Sequence, residues 1–168
     1  MENALFIGRF QPFHKGHEKA ISYLLKKYKK IKIAIGSSQF SRTKENPFSA
    51  RQRLFLLKKI ISSRPKWKKR ISFAFLPDNP SNAKWTKSFS SRFSSKKFAI
   101  CSANPLVNSL LKKAGYKFDT PHLVKRIYWQ GKKIRDKIRK KKSYLKDIPN
   151  AIKKYMKNKG EKIISTFQ

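Results

Sequence analysis

Two histidines three residues apart follow a glycine near the start of the chain. The segment reads GRFQPFHKGH over residues 8–17, and His14 and His17 enter a predicted helix. Residues at this spacing share one face of a helix, and the first backbone N–H groups of a helix are free to bind an anion. A glycine such as Gly8 lets the backbone approach a phosphate closely. The segment therefore predicts a binding site for a phosphate-bearing ligand.

The same pair allows two other interpretations. A zinc site needs a third protein ligand, and the only other histidine, His122, lies far along the chain. Two surface histidines beside a tight turn would be the simplest interpretation if the pair stood alone. The choice between these interpretations therefore depends on the segments that surround the pair.

Strand, loop and helix alternate along most of the sequence. Short apolar runs predict strands at 4–7, 31–35, 71–76 and 98–101. Helical spacing of apolar residues follows each run, at about 20–28, 50–61, 84–93 and 105–114. Ser49 and Gln52 have the spacing of a capping box. This order predicts a doubly wound α/β fold, with a parallel sheet covered on both faces and its ligands at the carboxyl ends of the strands.

The end of the chain predicts a basic helical part of the same domain. Residues 127–129 could form a last strand, a basic helix is expected from about Lys132, and Pro149 opens a terminal helix. A chain of 168 residues is long enough for one core and too short for two ordinary domains. We expect one domain over 1–168, with its basic helical part at about 131–160.

Composition excludes several classes of protein. A hydrophobic fraction of 39%, with 13 Phe, 6 Tyr and 3 Trp, argues against disorder. No run approaches the roughly 20 apolar residues of a membrane span, and residues 1–8 lack the marks of a signal peptide. The single cysteine, Cys101, allows no internal disulfide and is expected to be a small buried residue at a strand end. These features predict a cytoplasmic protein without membrane contact.

The charge is unusual, because 43 Lys and Arg against 8 Asp and Glu give a net charge of +35. One interpretation is nonspecific binding to a polyanion such as nucleic acid, since lysine contacts to phosphate release counterions. The other is a general lysine bias, because the lysines fall between apolar helix positions, as on any solvated face. Under either interpretation the surface attracts phosphorylated substrates.

Taken together, these motifs resemble one family. The sequence is similar to the nicotinamide-nucleotide adenylyltransferases, in particular the compact archaeal type, among the nucleotidyltransferases that share HxGH. HxGH after a strand is common to that superfamily, whereas GRFQPFH before it is characteristic of the branch that acts on nicotinamide mononucleotide. Three later segments match in order: IAIGSSQFSRTKENPFSARQR at 33–53, PDNPSNAKW at 77–85 and CSANPLV at 101–107. The likeness covers nearly the whole chain and implies a Rossmann-like sheet of the nucleotidyltransferase type.

The resemblance implies transfer of the AMP part of ATP to nicotinamide mononucleotide, which gives NAD and pyrophosphate. Such a reaction needs no protein nucleophile, only alignment of two anions and stabilisation of developing charge. His14, His17 and Arg9 are the implied catalytic residues. The implied ATP site consists of Gly8, Arg9, Phe10, His14, His17, Gly131, Lys132 and Arg135. Mg²⁺ should accompany ATP with few protein ligands, and we predict no metal-binding residue.

For the acceptor, the resemblance implies a second group of residues. They are Ser37, Asn46, Asp78, Asn82 and Trp85. Trp85 offers a face for the nicotinamide ring, and Asp78 and Asn82 offer groups for amide or ribose recognition. Trp85 could instead be a core aromatic residue, and Asp78 could be a loop acid that caps a turn.

The sequence departs from the family pattern at its last motif. The segment QGKKIR, residues 130–135, keeps Gly131 and Arg135 but has Gln130 and Lys132 where relatives have hydroxyl residues. A lysine supplies charge where threonine supplies a hydrogen bond and a cap, so activity could be lower. Relatives also have Gly and Glu at the positions of Arg51 and Gln52, a change that adds charge near the site or is mere drift.

Two alternatives remain open. A same-fold enzyme could use another acceptor, such as nicotinate mononucleotide, phosphopantetheine or FMN. A nucleic-acid-binding protein could also be built on a decayed enzyme fold, although intact His14 and His17 argue against decay. Archaeal relatives form hexamers, which predicts a homo-oligomer, while repulsion between so many lysines leaves the assembly open.

Overall fold

Four parallel strands form the centre of the structure, a computed structural model that describes residues 2–121 and 129–167. In chain order they are β1 Asn3–Gly8, β2 Lys30–Gly36, β3 Ile71–Leu76 and β4 Phe98–Ser102. Their order in the sheet is β3-β2-β1-β4. The connections thus run from β1 to one edge of the sheet and then to its other side, which confirms the doubly wound fold. The change of direction lies between β1 and β4, where such sheets bind ligands.

Helices cover both faces of this sheet. They are α1 Lys15–Lys27, α2 Ala50–Ser62, α3 Pro65–Lys68, α4 Asn82–Arg92, α5 Pro105–Lys113, α6 Gly131–Arg139, α7 Asn150–Tyr155 and α8 Glu161–Thr166. Side chains alternate between the faces along β1. Ala4 and Phe6 join the core under α1, α2 and the C-terminal helices, whereas Leu5 and Ile7 join the core under α4 and α5. The central strand is therefore apolar on both sides.

The predicted elements agree with the structure to within a few residues. Ser49 and Gln52 form the predicted capping box at the start of α2, so Gln52 has a structural role there. Cys101 is buried and free, and burial raises the pKa of its thiol to about 12. None of the helices in the described part of the chain combines the length and the apolar character that a membrane crossing requires.

The C-terminal part differs from the expected single terminal helix. A π-helical turn at Met156–Gly160 separates α7 from α8. A Cβ atom at Gly160 would lie 2.6 Å from the sulfur of Met156, so the missing side chain leaves room for that buried methionine. The short α3 was not predicted. Of the predicted strand at 127–129, residues 127–128 lie outside the described residues and Trp129 is not in a strand.

Candidate active site

A cavity of about 740 Å³ opens at the carboxyl ends of the strands, within the range of small-molecule sites. Every predicted site residue except Asn46 lines it. Residues from all four strand ends contribute, among them Gly8, Gly36, Leu76 and Ser102. The starts of α1, α4, α5 and α6 all reach this cavity, so four helix N-termini lie at one site.

His14 and His17 form a reciprocal cap at the start of α1. The backbone N–H of His17 donates to His14 Nδ1 at 3.4 Å, and the backbone N–H of His14 donates to His17 Nδ1 at 3.3 Å. Their rings stack with centroids 3.6 Å apart at an interplanar angle of 20°. The spacing of three residues therefore puts the two imidazoles side by side, as the sequence predicts.

This cap fixes where each imidazole carries its proton. Because Nδ1 accepts a hydrogen bond in both rings, the N–H of each neutral ring is on Nε2. Burial lowers the pKa of His14 to about 3. Burial, followed by the nearby His14, lowers the pKa of His17 well below its usual value. Both histidines are therefore neutral at physiological pH, and each has one free Nε2–H donor.

Phe10 shapes the turn that leads into α1. Its φ is +53°, an uncommon conformation for a residue with a side chain. The ring is 1% exposed and lies against Gly8, where a Cβ atom would be 2.9 Å from Phe10 Cζ. A side chain at position 8 would therefore require this buried ring to shift. Phe10 was predicted to bind ATP; its side chain belongs to the core and also lines the cavity, so its contact with a nucleotide stays a prediction.

Arg53 is a fully buried cation beside the cavity. Its guanidinium donates to the carbonyl oxygens of Arg9 at 2.9 Å, Gly36 at 2.7 Å and Ser37 at 3.0 Å. Burial, followed by the charge of Arg9, lowers its pKa to about 10, so it stays charged at neutral pH. It joins the ends of β1 and β2 and leaves a fixed positive charge near the site.

The start of α6 is held against the turn after β1. Arg135 Nη1 donates to the carbonyl oxygen of Gln11 at 2.7 Å, and a Cβ atom at Gly131 would lie 2.8 Å from that oxygen. Gln130 makes no side-chain cap, and Lys132 is exposed. Burial, followed by Arg9, lowers the pKa of Arg135 to about 10. Its Nε–H is buried and has no hydrogen-bond partner among the described residues.

Comparison with known proteins agrees with this geometry. A family model described as cytidylyltransferase-like matches residues 5–167. The nicotinamide-nucleotide adenylyltransferase of Sulfurisphaera tokodaii is 34% identical over 94% of this chain and 92% of that protein. The chain belongs to the nicotinamide-nucleotide adenylyltransferases of this family. The enzyme of that name from Pyrococcus furiosus is 33% identical over 94% of this chain and 84% of its own length.

Solved structures share the fold of this adenylyltransferase. A bifunctional NMN adenylyltransferase/ADP ribose pyrophosphatase from Francisella tularensis, complexed with AMP and a manganese ion, superposes with a TM-score of 0.79 at 22% identity. It covers 98% of this chain, which spans about half (52%) of that protein. A NadR protein in complex with NAD and AMP-PNP gives a TM-score of 0.66 at 14% identity over 90% of this chain.

The acceptor side of the adenylyltransferase site contains Trp85, Asp78 and Asn82. Trp85 is 8% exposed and stacks on Phe89, with ring centroids 5.1 Å apart at 24°. Trp85 therefore belongs to the core and also lines the cavity. Asp78 and Asn82 are exposed at the cavity, and Ser81, not Asp78, caps α4.

Two glutamines that were not predicted as site residues hold the loops around the cavity. Gln11 exchanges two hydrogen bonds with the backbone of Phe48, at 2.8 and 3.0 Å. Gln39 does the same with the backbone of Asp78, at 3.1 and 3.0 Å. Each side chain acts like a strand partner for a distant loop. Both lie in segments that match the family, which is the one signal the sequence offers for them.

Asn46 is the one predicted acceptor residue that does not line the cavity. It is buried, because the loop before α2 turns it inward. Its backbone N–H donates to Thr43 Oγ1 at 3.0 Å, and its Oδ1 is buried without a partner.

The zinc interpretation receives no support from the described part of the chain. Within residues 2–121 and 129–167, no three His, Cys, Asp or Glu side chains are grouped so that they could hold a metal ion. His122 lies outside the described residues.

Proposed function

We propose that this chain transfers the AMP part of ATP to nicotinamide mononucleotide and so makes NAD and pyrophosphate. The observation that carries the proposal is the pair of Nε2–H donors that His14 and His17 present at the start of α1, where the helix also offers free N–H groups to an anion. The family supports the reaction, and the cavity supports a place for both nucleotides. The residue roles below are proposed.

In the proposed reaction, a phosphate oxygen of the mononucleotide attacks the α-phosphorus of ATP. The new oxygen–phosphorus bond forms as the bond to the bridging oxygen of the β-phosphate breaks, and that oxygen leaves with pyrophosphate. No proton has to move, because the attacking phosphate is already an anion. His14 and His17 therefore act as neutral hydrogen-bond donors to the ATP phosphates, preorganised by their mutual cap.

Three arginines supply positive charge to the phosphates. Arg9 is exposed at the cavity and can approach a phosphate with two donors. Arg53 and Arg135 are buried cations whose bonds in this structure go to carbonyl oxygens. No carboxylate among the described residues is hydrogen-bonded to either guanidinium, so their charge acts on a bound anion across a medium of low polarity. Gly8, Gly131 and Lys132 complete the proposed ATP site.

The proposed metal is Mg²⁺, which enters with ATP as part of the substrate. Among the described residues that line the cavity, Asp78 is the only carboxylate. Phosphate oxygens and water would therefore be the main ligands, as is common for Mg²⁺. The ion would neutralise charge on the phosphates of ATP and on the leaving pyrophosphate.

For the acceptor, we assign the nicotinamide ring to the free face of Trp85. Its other face is covered by Phe89, which holds the indole in place. Asp78, whose backbone is fixed by Gln39, and Asn82 would bond the amide or ribose, with Ser37 beside them. Asn46 stays a prediction of the family resemblance.

Three broader predictions accompany this function. We propose that residues 1–168 act as one domain, with the basic helical part at about 131–160, and that the protein works in the cytoplasm. Assembly as a homo-oligomer, a hexamer by resemblance, is testable by analytical ultracentrifugation.

The test is NAD formation from ATP, Mg²⁺ and nicotinamide mononucleotide, run beside nicotinate mononucleotide, FMN and phosphopantetheine. We compare the parent with Trp85→Ala and Trp85→Phe. Loss of one stacked base costs about 1–3 kcal/mol, so Trp85→Ala should raise the KM for the mononucleotide roughly 5- to 150-fold, and Trp85→Phe should restore most of the affinity. A folded parent that makes no dinucleotide from either pyridine mononucleotide would refute the proposal.

A further inference from the structure

The active site uses little of the positive charge of the chain. The net charge is +35, and the cationic residues that line the cavity are Arg9, Lys132 and Arg135. Most of the remaining cations in the described part of the chain are exposed. Such a surface attracts polyanions from all sides, but a specific partner needs a place where charge is combined with another type of contact.

One such place lies along α2. Arg51, Phe55 and Lys59 follow one another at intervals of four residues, so they share one face of the helix, and all three are exposed. The ring of Phe55 is 45% exposed. Lys59 Nζ lies 5.2 Å from the centroid of that ring. Tyr155 of α7 packs beside it, with ring centroids 5.5 Å apart at 54°. We call these four residues the α2 platform.

The α2 platform has the chemistry of a single-stranded nucleic-acid site. An exposed aromatic ring between two cations allows a base to stack while the neighbouring phosphates meet the charges. A duplex hides the faces of its bases, whereas unpaired RNA offers them. We propose that this surface binds single-stranded RNA, with a base on Phe55 and phosphates at Arg51 and Lys59.

The alternative occupant, a second copy of the chain, is disfavoured by charge. At this face, a contact between two copies would bring together Arg51 and Lys59 of each copy, which are exposed cations, and like charges in contact destabilise an interface. RNA has the opposite sign and gains from the same charges. None of the four platform residues lines the active-site cavity, so RNA binding and NAD formation can be measured separately.

The test is fluorescence anisotropy with a labelled oligouridylate of about 16 nucleotides, a length within the range of known single-strand sites, in buffer near the physiological ionic strength of about 0.15 M. Phe55→Ala should weaken binding roughly 5- to 150-fold, the range set by about 1–3 kcal/mol per stacked base. Phe75→Ala is the matched control, because Phe75 is similarly exposed at 40% but lies on β3.

A second pair of variants separates local charge from total charge. Lys59→Glu and Lys113→Glu change the net charge equally, and both lysines are exposed in the last turn of a helix. Lys59→Glu should weaken RNA binding more than Lys113→Glu does. NAD formation by every variant should stay within about twofold of the parent, which shows that each is folded.

Three results would overturn the proposal. The parent could fail to bind the oligouridylate at physiological salt. Both phenylalanine variants could bind alike and both lysine variants could lose the same affinity, which would mean that diffuse charge alone attracts RNA. Phe55→Ala could also dissociate an oligomer in light scattering without a change in RNA affinity, which would assign the surface to contacts between copies.

Discussion

Of the helices that begin at the cavity, α1 and α6 are held there in different ways. At the start of α1, the groups that cap the helix are His14 and His17, which are also the proposed phosphate donors. At the start of α6, Gln130 makes no side-chain cap. That helix is fixed by distant contacts instead, since Gly131 and Arg135 both meet the carbonyl oxygen of Gln11.

This difference predicts which substitutions each helix start tolerates. At α1, a change to either histidine affects a cap, a tautomer and a donor at once. At α6, position and charge are supplied by Gly131 and Arg135, so the exposed residue between them can vary more freely. This is consistent with Lys132 standing in a motif where relatives have a hydroxyl residue.

The largest effect is expected from His17→Ala. The variant loses one preorganised donor, and the loss of such a donor costs about 10²- to 10³-fold in rate. We expect that loss in kcat/KM for NAD formation. His17→Gln is the control, because glutamine at the third helix position can still reach back to cap the backbone. Gln should restore thermal stability without restoring the rate, and a loss of less than about tenfold in both variants would contradict the proposed role.

The second effect concerns the stability of α1 in acid. Both histidines have lowered pKa values in the folded protein, so the unfolded chain binds more protons below its ordinary histidine pKa of about 6.5. Stability is therefore complete above that pH and falls as the pH drops from there towards 3. The slope is about 1.4 kcal/mol per pH unit for each histidine while its folded form stays neutral, which for His14 amounts to about 2 kcal/mol by pH 5.

Urea unfolding at pH 7.5, 6 and 5 measures this slope. His14→Asn is the matched variant, because asparagine is a good N-cap and does not titrate. In this variant the slope of the unfolding free energy against pH should be smaller by the contribution of one histidine, roughly 1.4 kcal/mol per pH unit. An unchanged slope in His14→Asn would mean that His14 is not buried as a neutral group.

The third effect tests the way in which α6 is fixed. Gly131→Ala would put a Cβ atom 2.8 Å from the backbone oxygen of Gln11, so the helix start or the turn must shift. Overpacking typically costs about 1–3 kcal/mol, and we expect the low end of that range because a helix start can move. Thermal unfolding measures the loss. Gly36→Ala is the control, since its nearest contact would be an ordinary 3.6 Å; equal losses in both would refute the close-approach argument.

These two helix starts also mark how far the sequence could predict the site. The histidine pair is local, so its spacing alone predicted a shared face, and the apolar runs predicted the four strands. Arg53 bonds a carbonyl 44 residues away, Gln11 bonds a loop 37 residues away, and Arg135 reaches Gln11 across 124 residues. Such contacts follow from the fold and leave no periodic pattern, so only the family resemblance pointed to their segments.

Two site residues that were predicted from the family resemblance have buried side chains. Phe10 and Asn46 lie in segments that match the family, and both side chains are buried, although Phe10 lines the cavity and Asn46 does not. A segment can be part of a site because its backbone shapes the cavity, and residue type does not separate that role from direct contact.

The smallest effect is expected from Lys132→Thr, which restores the family's residue at the start of α6. The exchange removes a positive charge near the phosphates, worth about 0.3–1 kcal/mol at an exposed site, and adds a hydroxyl that can bond them, worth about 0.5–1.5 kcal/mol. Because these terms nearly cancel, kcat/KM for ATP should change by less than about threefold, a difference of about 0.7 kcal/mol. Lys133→Thr, an exposed neighbour that does not line the cavity, is the control.

Salt separates the two contributions of Lys132. Screening weakens an exposed charge but hardly a direct hydrogen bond, so the KM of the parent for ATP should rise more steeply with KCl than that of Lys132→Thr. A gain above about tenfold in Lys132→Thr would mean that the hydroxyl is a preorganised donor of the kind found at α1. Both helix starts would then require a preorganised hydrogen-bond donor, and Lys132 would lower the activity of this chain. A change within threefold, with the steeper salt dependence in the parent, means that charge has taken the place of a hydrogen bond.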